Sequence, residues 1–140
     1  MKQFEFSQSY FMFWDKIEKA NYFLENIIRT SVEPWNSRLI MYLLENPIQD
    51  GGQWDMFVNL IRKYGVVPQT EMPKSFQSSK SMRMNRMITR KLREFAKSLR
   101  EAYNEGKNLT VLHRTKKEML AVIYQMLVIH LGTPPVRFDW

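Results

Sequence analysis

From Ser7 onward, apolar residues recur at Tyr10, Phe13, Trp14, Ile17, Phe23 or Leu24, Ile27 and Ile28, the spacing of one helix face, sustained to about Arg29. Ser7 is a suitable N-cap, and the aromatic stripe reads as a buried face. Asp15, Lys16, Glu18 and Lys19 then form the solvated side. Thr30 to Asn36 is a break carrying Pro34. Ser37 caps a short helix through Leu39, Ile40, Leu43 and Leu44 that ends near Asn46, because Pro47 disfavours helical backbone in the residue before it. Trp54, Phe57, Val58, Ile61 and Tyr64 predict a third amphipathic helix, with Gly65 placed as the left-handed residue just past its end. Val66, Val67 and Pro68 read as extended chain.

Pro68 to Ser81 holds two prolines and little apolar content, so it is expected to be a linker or exposed connection. Beyond it, Met84, Ile88, Leu92 or Lys91, Phe95, Leu99 and Ala102 or Tyr103 keep helical spacing. Arg83, Arg86, Arg90, Arg93, Lys97 and Arg100 occupy the remaining surface of this basic helix. Asn104 to Asn108, with Gly106, makes a turn. Thr115 and Glu118 have the spacing of a capping box ahead of Met119, Val122, Ile123, Met126, Leu127 and Ile129, and Gly132 with Pro134 and Pro135 stops this last helix. The fold class expected is mostly α, with about five helices in two parts: 1–75, and a basic helical hairpin over 76–140. The hairpin's Met-rich seam calls for a further helical surface to pack on.

Composition narrows the chemistry. An apolar content of 44% in 140 residues supports a packed core. The net charge of +7 is uneven: residues 1–75 carry 8 Lys/Arg against 9 Asp/Glu, and residues 76–140 carry 13 against 5. There is no cysteine, which excludes a thiolate nucleophile and a disulfide framework within these residues and points to a reducing, cytoplasmic setting. No metal-ligand spacing, phosphate loop or cofactor motif is present, so neither metal nor cofactor is expected. The longest apolar run, Met119 to Ile129, is interrupted by Gln125 and is too short to span a membrane. His113 and His130 are isolated in sequence and read as surface or helix-end residues.

Asp50-Gly51-Gly52-Gln53-Trp54 interrupts this helical pattern. Adjacent glycines ahead of a helix provide a tight turn or a backbone that another chain can approach closely. A plain loop with Asp50 and Gln53 as a capping pair accounts for the same residues. Asp50-Gly51-Gly52-Gln53-Trp54-Asp55-Met56 occurs together with Ser7-Gln8-Ser9-Tyr10, Phe13-Trp14-Asp15-Lys16, Glu18-Lys19-Ala20-Asn21-Tyr22-Phe23-Leu24-Glu25 and Lys63-Tyr64-Gly65-Val66-Val67-Pro68. In that order, these segments resemble the bleomycin hydrolase family. Its bacterial members are called aminopeptidase C, and they are papain-like cysteine peptidases.

The resemblance implies an all-helical internal piece of a papain-like α+β peptidase that removes N-terminal residues from peptides through a thioester. The catalytic cysteine, histidine and asparagine of the family lie outside the matched segments, so this chain alone is expected to be inactive, with no catalytic residue of its own. Gly51 and Gly52 match the paired glycines along which a peptide substrate exchanges strand-like hydrogen bonds. Asp50, Gln53 and Trp54 flank them as candidate contacts, although Trp54 is equally placed to be the first core residue of its helix. Residues 76–140 resemble the family's helical hook, through which subunits assemble into a hexamer, so a homo-oligomer is expected. Two alternatives stand beside this reading: a non-catalytic self-association module, and a nucleic-acid-binding domain using the basic helix. For the latter no supporting motif is visible.

Overall fold

The computed structural model describes residues 6–48, 54–73 and 81–135, with Trp54 and Asp55 described by their backbone alone. Among these residues five helices follow in order: α1 Gln8–Arg29, α2 Arg38–Glu45, α3 Trp54–Tyr64, α4 Ser81–Asn104 and α5 Leu109–Leu131. The fold is mostly α, as expected. The one strand-like feature among the described residues is an antiparallel bridge between Phe6 and Pro68.

Local chemistry sets most helix ends. The Ser7 hydroxyl accepts from the Tyr10 amide at 3.0 Å and donates to the Met72 carbonyl at 2.5 Å. The same side chain therefore starts α1 and ties the chain after α3 to it. Ser37 accepts from the Ile40 amide at 3.3 Å and starts α2. α3 ends at Gly65, whose φ of 75° lies in the left-handed region; a Cβ there would meet nothing within 4 Å, so conformation and not space calls for glycine.

α1 is the central element and touches each of the other four helices. Phe13, Ala20, Leu24 and Ile27 of α1 share one hydrophobic cluster with Met84, Ile88, Leu92, Ala96 and Leu99 of α4 and with Leu112, Met119, Ile123, Leu127 and Leu131 of α5. The further surface that the hairpin's apolar faces call for is α1. The boundary placed at 75–76 falls outside the described residues.

This central position corrects one expectation. Asp15, Lys16 and Lys19 are not solvated; all three are buried, Lys16 completely. Helices on several sides of α1 leave little open surface beside these three residues, which favours partners close by, and Asp15 and Lys19 pair at 2.9 Å one turn apart. A second correction concerns α5, which starts at Leu109 instead of near Thr115. Asn108 is its N-cap, accepting from the Val111 amide at 3.0 Å, while the Thr115 hydroxyl, already inside the helix, donates back to the Val111 carbonyl at 3.0 Å.

Two smaller differences follow from packing. The stretch from Pro68 to Pro73 is not an open connection: Met72 is buried, and Pro68 bridges to Phe6. Among the described side chains of α3 the buried one is Leu60, while Phe57 is partly exposed and contacts Phe11 at a ring separation of 5.0 Å.

Candidate functional site

Asp50, Gly51, Gly52 and Gln53 lie outside the described residues, and of Trp54 only the backbone is described, as the first residue of α3. The structure does describe the frame on either side of them. α2 leads through Asn46, Pro47 and Ile48 into this segment, and Pro47 and Ile48 are both buried. α3 leads away from it.

The far end of α3 is bolted to α1. Lys63 Nζ donates to Glu18 Oε1 at 2.5 Å, and the Tyr64 hydroxyl donates to the same oxygen. Tyr64 stacks on Trp14 with ring centroids 4.3 Å apart and planes at 9°, and its carbonyl accepts from the Tyr10 hydroxyl at 2.7 Å. Burial opposes ionisation of Glu18, but the bonds from Lys63 and Tyr64 and the Lys63 charge outweigh it and hold the carboxyl below its usual range. The bond to Glu18 in turn raises Lys63, and burial followed by that same bond raises the Tyr64 hydroxyl.

Between α1, α2 and α3 lies an open groove of about 750 Å³, with Asp15, Glu18, Lys19, Tyr22, Tyr42 and Met56 among its lining. Its carboxylates already have lysine partners, Asp15 with Lys19 and Glu18 with Lys63. The Glu18 carboxyl, held below its usual range by its partners, is a poor general acid. The groove offers a shaped, partly apolar wall and not reactive groups.

The remaining titratable groups bind the hairpin to the frame. Glu25 of α1 accepts from Lys116 of α5 at 2.9 Å and lies 3.2 Å from His113 Nε2. The Lys116 bond, opposed by burial and assisted by His113, holds Glu25 below the usual carboxylate range. His113 thus has a carboxylate neighbour that its sequence surroundings do not show, because the partner comes from 88 positions away. Its Nδ1 meets the Leu109 carbonyl, and His130 Nδ1 meets the Met126 carbonyl. No group of three potential metal ligands occurs among the described residues. None of the helices searched there is long and apolar enough to cross a membrane.

Two arginines assigned from sequence to a basic outer face have other work. Arg93 donates from Nε to the Leu44 carbonyl at 2.8 Å and from a terminal nitrogen to the Glu45 carbonyl at 2.9 Å. Arg100 donates to the Thr30 carbonyl at 3.4 Å and to the Glu33 carbonyl. Sequence reading missed them because a helix-capping arginine and a solvated one have the same local pattern.

What this helical frame belongs to is shown by its relatives. A model of the Peptidase C1-like family matches residues 1–140, and the chain belongs to that family. The chain is 56% identical over 140 residues to aminopeptidase C of Listeria monocytogenes, and 42% identical over 142 residues to bleomycin hydrolase of Homo sapiens; each match takes in all of this chain. The crystal structure of PepW from Lactobacillus rhamnosis HN001 superposes with a TM-score of 0.95 at 46% identity, again over the whole chain. The chain spans 31% of the length of each of these three proteins.

Proposed function

We propose that this chain serves a cysteine aminopeptidase of the aminopeptidase C and bleomycin hydrolase type. In it the Gly51–Gly52 segment forms one wall of the peptide cleft, and the α4–α5 hairpin, in the 76–140 part, forms a subunit-assembly element. The observation that carries this is a match to named peptidases along the whole length of a chain that has no cysteine. The wall and the assembly element are thus separate from the nucleophile. The reaction itself needs a cysteine thiolate to attack the peptide carbonyl, a histidine to take and return the proton, and oxyanion donors, all brought from outside these residues. What the described residues supply is position: α1 as a central post, α2 and α3 held on either side of the glycine pair, and Glu18 fixing the end of α3.

In this reading, the partners are a peptide substrate and further copies of the same protein, in the cytoplasm. The first test is aminopeptidase activity of the purified 140-residue chain on peptides with free N-termini. No turnover is expected, since loss of a nucleophile with its base removes about six orders of magnitude in kcat in a comparable hydrolase. Turnover that resists thiol alkylation would refute the reading, because the chemistry would then reside in this chain. Native mass spectrometry checks assembly, and a strictly monomeric chain at high concentration counts against the hairpin as a sufficient assembly element.

A further inference from the structure

α2 is an unusual element to find firmly placed. It has eight residues, well below the roughly 12–15 at which an isolated helix becomes even marginal in water. Its one fully buried side chain is Ile40; Leu43 and Leu44 are half-buried against the core, while Leu39, Met41 and Tyr42 stay exposed. A further hold, on the end of the helix, comes from α4. Arg93 and Arg100 are seven residues apart, two helical turns, and so lie on one face of α4. Arg100 donates to carbonyls at and just after the end of α1, and Arg93 donates to the last two carbonyls of α2.

The Leu44 and Glu45 carbonyls lie in the last turn of α2, where carbonyls lack a helical partner and carry the negative end of the helix dipole, so a guanidinium is favoured there both as a donor and as a charge. The planar fork reaches two successive carbonyls at once, which a lysine ammonium at the end of a flexible stem does not reproduce. The C-terminal turn of α2 is also the last element before Asn46, Pro47 and the Asp50–Trp54 segment.

We propose that Arg93, supported by Arg100, is a positioning residue for peptide binding: it fixes the end of α2 to the hairpin, so that the hairpin sets where the cleft-wall segment begins. The functional half of this rests on the reading of Gly51 and Gly52 as cleft wall. Assembly and substrate binding then share one mechanical link.

The test has two arms. Hydrogen exchange is measured on the 140-residue chain as wild type, Arg93→Ala and Arg93→Lys. Removing two charge-assisted bonds is expected to speed exchange of the amides in residues 38–48 by about tenfold or more, with α1, α4 and α5 unchanged. Arg93→Lys is expected to recover only part of the protection, and it serves alone if the alanine variant does not fold. Unchanged exchange in 38–48, or an equal increase throughout the chain, overturns the proposal.

In the second arm, the chain replaces the matching segment of Listeria monocytogenes aminopeptidase C. In that enzyme, Arg93→Ala is expected to raise KM for peptides severalfold while kcat stays within about twofold. Faster exchange in α2 with unchanged KM would leave Arg93 as the fixing of α2, remove its role in peptide binding, and count against the glycine pair as cleft wall. A fall in kcat alone would also overturn the positioning role.

Discussion

Phe13 offers the sharpest test of whether α1 and the hairpin form one cooperative unit. It is fully buried, meets the Tyr124 ring of α5 edge-on at 5.0 Å and 80°, and meets Trp14 at 5.1 Å. Phe13→Ala removes a whole buried ring from between two elements that are far apart in sequence. Core Phe→Ala changes cost about 3–5 kcal/mol, of which each aromatic pair contributes about 0.5–1.5 beyond the area buried. Against the roughly 5–15 kcal/mol that stabilises a domain, this is a large share, so the variant should be marginally folded. The assay is urea unfolding followed in parallel by far-UV circular dichroism and by tryptophan fluorescence, to which Trp14 reports from beside the deleted ring. Wild type and variant should each show one transition coincident by both probes, and the double change with Tyr124→Leu should show coupling of about 1 kcal/mol. If the hairpin unfolds in a separate transition untouched by Phe13→Ala, or if the loss is below about 1 kcal/mol, α1 and the hairpin do not share the core described above.

Other changes probe the corrected and the electrostatic features. Asn108→Ala should cost about 1 kcal/mol as the loss of an N-cap, whereas Thr115→Ala should stay within about 0.5 kcal/mol; the reverse order in thermal melts would restore the capping box at Thr115. Glu18→Gln should cost about 1 kcal/mol near neutral pH, a figure reduced because the Lys63 side chain is 61% exposed. Since the folded Glu18 carboxyl sits below its ordinary value, its contribution is present above that ordinary value, about 4.3, and is lost as pH falls through the lower folded one. Acid titration of stability should therefore show a shallower loss in Glu18→Gln than in wild type, and parallel curves would refute the latch. Gly65→Ala should destabilise by about 1 kcal/mol through its positive φ alone, as nothing crowds the position; a neutral result would show that the turn relaxes.

Local rules were legible wherever the deciding partner is close in sequence. Ser7 and Ser37 as caps, Pro47 as a stop after α2 and Gly65 as the left-handed end of α3 all depend on atoms within a few residues, and all are found as expected. The core spacing of α4, Met84, Ile88, Leu92 and Leu99, reads equally well, because a 3.6-residue period survives whatever covers it. The start of α5 shows the limit of such rules. Asn108 and Thr115 both satisfy capping chemistry on paper, and Leu112, buried in the core, is what extends the helix back to Asn108. The resemblance in Asp50–Trp54 and its flanking segments is carried by residue identity, which marks the family without reference to geometry.

By itself the sequence determined the order of the five helices among the described residues, most of their ends, the absence of a cysteine and the family. It could not determine which polar residues are exposed, because that depends on what packs against them. Asp15, Lys16 and Lys19 look like a solvated face and are buried, since α1 sits at the centre of all four other helices. Arg93 and Arg100 look like part of a basic surface and instead hold carbonyls 48 to 70 positions away. Glu18, Lys63 and Tyr64 become one latch in the same way, from residues 45 and 46 positions apart. Hydrophobic periodicity reports how much of a helix is apolar. Only the tertiary arrangement, set by several helices competing to cover one another, decides which charges are left facing a partner and which face water.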